Sequence, residues 1–205
     1  MNVTLASWRD TWHEAGAPSV DESLFHLLVA CYSEKHRYYH TLQHLRECFE
    51  LFDGARDMAR HPAEIGLALW FHDAIYDVRR HDNEARSADM AAASIMASGL
   101  GEDVAGRVHM LIMATCHDQP PSDTDAQLLT DVDLAILGAD AKRFDESDKQ
   151  IHAEYAHLAW NDFREGRKRV LNSFLDRPRL YSTDRFYAAY EMQARANLHR
   201  SLSKL

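Results

Sequence analysis

The doublet His72-Asp73 lies inside an apolar run, LALWFHDAIYD, and it is a candidate for metal chemistry. A carboxylate among neighbours such as Trp70 and Phe71 is costly to bury unless it is paired or binds a metal ion. Imidazole and carboxylate groups are both ligands for divalent cations. The doublet therefore predicts part of a metal site, and the remaining ligands have to come from other elements.

Two further metal-competent side chains fall on apolar helical stripes. His44 shares a stripe with Cys48 and Phe52, and Asp133 lies within the apolar segment LLTDVDLAILG. Each predicted helix would point one such group toward the core. Taken alone, a histidine on such a stripe is more often a hydrogen-bonded core residue, and a lone aspartate can pair with an arginine. The ordered set of a histidine, a His-Asp doublet and an aspartate, each inside a predicted helix, indicates a metal site.

The elements that must position these residues are helices. Ser19–Glu22 fits a capping box that opens one helix, and the next is predicted from about Thr41 to Phe52, before Gly54. Pro62 suits the first turn of the helix that carries the doublet and continues to Tyr76.

Helix signals continue to the end of the chain, with no convincing strand alternation and no hairpin signal. A second capping box occurs at Thr124–Gln127. The predicted helices run over 84–97, stopping before Gly99, then 103–116 and 124–138, followed by helices around 151–158, around 170–175 and from about 183. These patterns predict an all-α, single-domain helical bundle over residues 1–205.

Composition excludes several classes of protein. A net charge of −9 argues against a general nucleic-acid binder, because no basic surface dominates. No apolar run approaches the ~20 residues of a membrane span, and the N-terminus has no signal-peptide pattern. Cys31, Cys48 and Cys116 are far apart and odd in number, which predicts free thiols in a reducing cytoplasm. The oligomeric state is not fixed by the sequence.

The ordered ligand set resembles the HD superfamily of metal-dependent phosphohydrolases, which are helical proteins. The resemblance implies that His44, His72, Asp73 and Asp133 are the metal ligands. A closer likeness is to a bacterial group of predicted metal-dependent HD phosphohydrolases, and it covers nearly the full length. The segments that carry it are RYYHTLQHL, LALWFHDAIYD, DNEARSA, DVDLAILG and RPRLYSTDRFYAAYEMQARANL.

Two of these ligand assignments have competitors. His40 precedes His44 by four residues and could share its helix face. We choose His44 because it lies deeper in the helix, and His40 would then lie beside the ligands or face the substrate. Asp131 competes with Asp133, which we choose because its position before Leu-Ala-Ile-Leu matches the aspartate of the superfamily.

The resemblance implies hydrolysis of a small phosphate ester, such as a nucleotide, through a metal-activated water. Two imidazoles and two carboxylates suit Mn, Fe, Co, Ni or Zn better than Ca, and Mg is also considered. Asp73 would contribute to catalysis as a ligand of the ion. The alternatives are a di-iron oxygenase of the same fold and a module that binds a nucleotide without turning it over.

Other residues are candidates for proton transfer, for substrate binding, and for a second metal or the pocket wall. Some HD nucleotidases carry a catalytic glutamate where this chain has Tyr76, so Asp77, which follows it, is the candidate for proton transfer. Glu84 is an alternative for that role, although Asp82 or Asn83 could simply cap the helix that Glu84 begins. Arg37 is the candidate for binding the substrate phosphate. His117, together with His40 and Glu84, is considered for a second metal or the pocket wall.

Overall fold

The computed structural model describes residues 3–205, and it is all-helical, as the sequence predicts. No strand occurs in this range, and no helix in it combines the length and apolar character needed to cross a membrane. The α-helices are α1 (Leu5–Glu14), α2 (Glu22–Cys31), α3 (Leu42–Ala55), α4 (Pro62–Phe71), α5 (Asn83–Ala97), α6 (Glu102–Ala114), α7 (Thr124–Leu134), α8 (Ala141–Glu154), α9 (Trp160–Leu175) and α10 (Asp184–Leu202).

The chain forms two compact units. The N-terminal unit ends at Thr130 and the C-terminal unit comprises Asp131–Leu205, so the division falls inside α7. The N-terminal unit contains α1–α6 and the first turns of α7. The C-terminal unit contains the end of α7, a short 3₁₀ helix at Ala135–Gly138 and α8–α10.

The predicted positions of the helix starts agree with the structure more often than the predicted capping residues do. Helix α3 begins close to the predicted start, with Thr41 as its side-chain cap, and Pro62 occupies the first turn of α4, as predicted. The capping box predicted at Ser19 is wrong, because Asp21 accepts the hydrogen bonds of the first turn of α2. At the start of α7 the same role belongs to Asp123, not Thr124. In both cases a carboxylate close to the helix supplies the stronger cap.

Helix ends are less well predicted. The helix that carries the His-Asp doublet ends at Phe71 rather than Tyr76, and α6 ends at Ala114 before Cys116. The end of α5 is correct: Gly99 follows it with a φ of 88°, in the left-handed region that glycine adopts without a steric penalty.

Helix α4 lies at the centre of the N-terminal unit. It contacts α1, α3, α5 and α6, and every residue from Ala63 to Phe71 is buried. Such a helix is hydrophobic all round, which is the pattern of a core helix rather than an amphipathic one. Trp70 meets Trp8 of α1 edge to face, with ring centroids 5.3 Å apart. The doublet therefore follows directly after the most buried helix of its unit.

In the C-terminal unit, α10 packs against the 3₁₀ helix, α8 and α9. The approach of the 3₁₀ helix is close at Gly138, where an added Cβ would lie 2.6 Å from Tyr190 Cβ. Asn197 of α10 donates to the carbonyls of Leu137 and Ala139, which fixes the exit of the 3₁₀ helix. Glycine is required at 138 because no side chain fits there.

Candidate metal centre

Three predicted ligands lie at the ends of two adjacent helices of the N-terminal unit. His44 is in the first turn of α3, directly after the Thr41 cap. His72 is the C-cap residue of α4, and its backbone N–H donates to the Ala68 carbonyl. Asp73 begins the turn that follows. The doublet is therefore not inside a helix, and this turn brings two neighbouring side chains to one point.

The ligand atoms of these residues lie within bonding distance of a single point. His44 Nε2 is 3.2 Å from His72 Nε2, and His72 Nε2 is 3.1 Å from Asp73 Oδ2. His44 Nε2 is 3.5 Å from the same oxygen. Both histidines are buried, at 2% relative exposure, whereas Asp73 is half-buried. The structure thus brings together three of the predicted ligands.

The tautomer of His72 follows from a main-chain contact. Its Nδ1 lies 2.9 Å from the Leu69 carbonyl oxygen, which can only accept a hydrogen bond. Nδ1 therefore carries the proton in the neutral ring, and Nε2 presents a lone pair toward His44 and Asp73. Metal-binding histidines are oriented by this kind of contact through the other ring nitrogen.

The electrostatics of the cluster keep Asp73 ionised. Burial alone would raise the pKa of its carboxyl group, but the nearby imidazoles of His72, His40 and His44 outweigh this effect. The net result is a pKa well below the usual range of an aspartate. An ionised carboxylate beside two imidazoles is suited to a divalent cation.

Cys48 is a member of the cluster that sequence reasoning did not name as a ligand. His44, Cys48 and His72 offer ligand atoms within 4.8 Å of one another, and such a buried group could hold a metal ion. Cys48 follows His44 by four residues, so the helical spacing was the available signal. Its sulfur lies 3.7 Å from both ring nitrogens of His44 and so contacts the ring as a whole. All three cysteines are free, as predicted.

Arg37 has a different role from the predicted binding of phosphate. Its side chain is 1% exposed, and its guanidinium donates to main-chain carbonyls of the doublet's turn. One nitrogen lies 2.5 Å from the Asp73 carbonyl oxygen and another lies 2.9 Å from that of Ala74. Nε donates to Glu34 at 2.9 Å. A guanidinium committed in this way holds the turn and does not present its charge to a substrate.

Two hydroxyl groups also hold the turn, and no sequence pattern indicated either of them. The buried Tyr32 hydroxyl donates to the Trp70 carbonyl and accepts from the backbone N–H of Asp73, at 3.3 Å in each case. The Ser87 hydroxyl accepts from Ile75 N at 3.0 Å. The polar main chain that leaves α4 is thus satisfied inside the protein.

His40 lies beside the cluster, and Asp77 lies in the exposed loop after it. The His40 ring stacks on Tyr76 with centroids 4.1 Å apart, and it is 6.1 Å from the His44 ring. An Asp77 carboxylate oxygen accepts from Arg79 N, and its main chain pairs with the Asn83 amide. Asn83 therefore anchors the loop instead of capping α5 through its side chain. The predicted proton-transfer role of Asp77 stays a prediction.

His117 and Glu84 are the other residues predicted for a second ion or the pocket wall, and Glu84 lies close enough to Cys116 to affect its thiol. His117 follows α6 and has a φ of 56°, which is uncommon for a residue with a side chain. Burial raises the pKa of the Cys116 thiol to about 11, and the carboxylates of Glu84 and Asp118 add to this effect. Among residues 3–205 these side chains do not form a second group of ligand residues. Their predicted role at a second ion stays a prediction.

Asp131 and Asp133, the two candidates for the fourth ligand, differ in their surroundings within the C-terminal unit. Asp131 is buried, and its two carboxylate oxygens accept from Ser182 N, Thr183 N and the Thr183 hydroxyl, each at 2.7 Å. It is thereby committed to the start of α10. Asp133, on the last turn of α7, is half-buried and has a carboxylate able to ligate a metal ion. These contacts favour Asp133 as the ligand.

Comparison with protein-family models, with curated proteins and with solved structures finds no significant match to this chain.

Proposed function

We propose that this protein is a metal-dependent phosphohydrolase acting on a small phosphate ester, with His44, His72, Asp73 and Asp133 holding one divalent ion. The metal part of the proposal is carried by one observation, the mutual distances of the His44, His72 and Asp73 ligand atoms. The phosphoester part is carried by the sequence resemblance described above.

The distances fit one ion. Two ligand atoms that each lie ~2.0–2.1 Å from a metal are separated by about 2.8–3.4 Å when the angle between them is 90–109°. Two of the three separations, 3.2 and 3.1 Å, lie within this interval, and the third, 3.5 Å, lies just above it. The unprotonated Nε2 of His72 and the ionised carboxylate of Asp73 are the protonation states that coordination requires.

The ion and the residues around it would have different roles in hydrolysis. When bound, a divalent ion lowers the pKa of water and neutralises charge on a phosphoryl oxygen. His72 is held in the required tautomer by the Leu69 carbonyl, and Asp73 is kept ionised by its imidazole neighbours. Arg37 donates to the carbonyls of the turn, so its charge is not assigned to the phosphate.

The donor set narrows the choice of metal. Imidazole nitrogen with carboxylate oxygen suits Mn, Fe, Co, Ni and Zn, whereas Ca prefers an all-oxygen site. Two buried imidazoles make Mg a weaker candidate, because it is usually bound through carboxylates and waters. We therefore expect a first-row transition metal.

Metal analysis followed by phosphate-release assays tests the proposal. Protein purified without chelator should contain about one transition-metal ion per chain, measured by mass spectrometry of the elements. It should release inorganic phosphate from a nucleotide or sugar phosphate when that metal is supplied, and His72→Ala should abolish release. A control, His109→Ala, removes a half-buried histidine of α6 that pairs with Asp89.

The alternatives give different results in the same experiment. Two tightly bound irons per chain without phosphatase turnover would replace the proposal with an oxygenase. A bound nucleotide that is not turned over with any metal would replace it with a binding module. Failure to bind any divalent metal would overturn the metal site itself.

A further inference from the structure

The guanidinium of Arg37 joins the two chain segments that carry the metal ligands. It donates to the carbonyls of Asp73 and Ala74 in the turn after α4, and to the carbonyl of His40 at 3.4 Å in the segment that leads into α3. His44 follows on α3, His72 caps the end of α4, and Asp73 begins the turn. One side chain therefore contacts the backbone on both sides of the ligand cluster.

Arg37 is itself held in place on several sides. Glu34 accepts from its Nε at 2.9 Å and balances its charge. The guanidinium carbon lies 5.5 Å from the centre of the Tyr32 ring and 5.4 Å from that of Tyr76. Four of the five N–H donors of an arginine are thus accounted for by protein acceptors, with two rings packed around the group. A planar, rigid fork of donors can fix several carbonyls at once, which a lysine cannot do.

We propose that Arg37 is a positioning residue that sets the affinity of the metal site by fixing the separation between His44 and the His72-Asp73 turn. This inference rests on the proposed metal site. Without the guanidinium, the carbonyls of His40, Asp73 and Ala74 lose their common partner. The ligand atoms would then have to be brought together by the ion, and that ordering weakens binding.

Binding of Co²⁺ to the full-length chain tests the inference, because its visible absorption reports ligand geometry as well as affinity. Arg37→Met should fold, as judged by circular dichroism, and should bind Co²⁺ about 10- to 100-fold more weakly than the parent. Its cobalt spectrum should also differ in band position or intensity. A purely structural role would lower the melting temperature and leave the spectrum and the affinity unchanged, and this result would overturn the inference.

Arg195→Met is the matched control. Arg195 also donates to main-chain carbonyls, those of Leu175, Arg177 and Pro178, and pairs with Glu191, but it belongs to α10 of the C-terminal unit. Its loss should lower the melting temperature while the cobalt affinity and spectrum stay those of the parent. An equal loss of affinity in both variants would show that general destabilisation explains the effect, and would overturn the inference.

A second variant keeps the test decisive if Arg37→Met does not fold. Arg37→Lys retains the charge next to Glu34, but one ammonium cannot span the three carbonyls, so we expect cobalt affinity to fall about 10-fold. Unchanged affinity and spectrum in Arg37→Lys would overturn the inference while leaving the proposed function intact. Absence of cobalt binding by the parent chain would overturn the proposed function instead.

Discussion

The Nε2 atoms of His44 and His72 lie 3.2 Å apart in the core, although the two residues are 28 positions apart in the sequence. Helices α3 and α4 pack against each other, and each presents one imidazole at the contact. Since Nδ1 of His72 already donates to Leu69, the two facing nitrogens can share at most one proton between them. A divalent ion can bond to both nitrogens in place of that proton.

Replacing His72 should remove the metal. His72→Ala deletes a ligand atom whose tautomer is fixed, and we expect divalent-metal affinity to fall by more than about 100-fold. Equilibrium dialysis with elemental analysis measures the change, with His109→Ala as the control for loss of a histidine. Full metal occupancy in His72→Ala would show that the ligands have been assigned wrongly.

The two aspartates of α7 should have separable roles. Asp133→Asn should lose metal affinity, because Asp133 is proposed as a ligand. Asp131→Asn should keep the metal but lower the free energy of unfolding by about 1–3 kcal/mol, since Asp131 accepts three hydrogen bonds at the start of α10.

Metal titration and urea denaturation of the two variants side by side distinguish these roles. Loss of the metal in Asp131→Asn, with its retention in Asp133→Asn, would assign the ligand to Asp131.

Metal binding should weaken in mild acid because of the histidines and not because of Asp73. The lowered pKa of Asp73 means that its carboxylate stays charged until the pH falls below the usual aspartate value of about 3.9, and its contribution to stability is lost only there. Histidine ligands must be neutral to bind, because a proton on the ligating nitrogen competes with the ion, so we expect the metal to be released progressively as the pH is lowered.

A titration of bound metal against pH, followed with a chromophoric chelator, measures the midpoint of release. Retention of the metal down to about pH 4 would point to a site made of carboxylates alone and would remove the histidines from the ligand set.

The sequence predicted the ligand-bearing helices α3 and α4 better than the turn that follows α4. The apolar stripe placed His44 in a helix that starts at about Thr41, and Pro62 placed the start of α4. The end of α4 at Phe71 was missed because Ile75 and Tyr76 continue the apolar pattern and no glycine or proline interrupts it. The turn is held by side chains distant in sequence, and local patterns do not report such contacts.

The role of Arg37 shows the same limit. A cation close to His44 in the sequence was expected to face the substrate, and nothing in the neighbouring residues shows that its donors are taken by the Asp73 and Ala74 carbonyls. Tyr32 and Ser87 could not be linked to the turn for the same reason. Long-range hydrogen bonds to the main chain depend on tertiary packing and cannot be recognised in the sequence. The residue types of the ligands and the apolar stripes that bury them can be recognised there.

The burial of α4 on every side has a kinetic consequence for the site. Amide protons of a helix with no solvent-facing side exchange with water mainly when the surrounding unit opens cooperatively. His72 is the residue at the end of that helix, so its backbone shares the slow opening of the core. A bound ion would therefore leave by dissociating from an intact site, and its residence time would be set by the strength of the ligand bonds and not by local fraying.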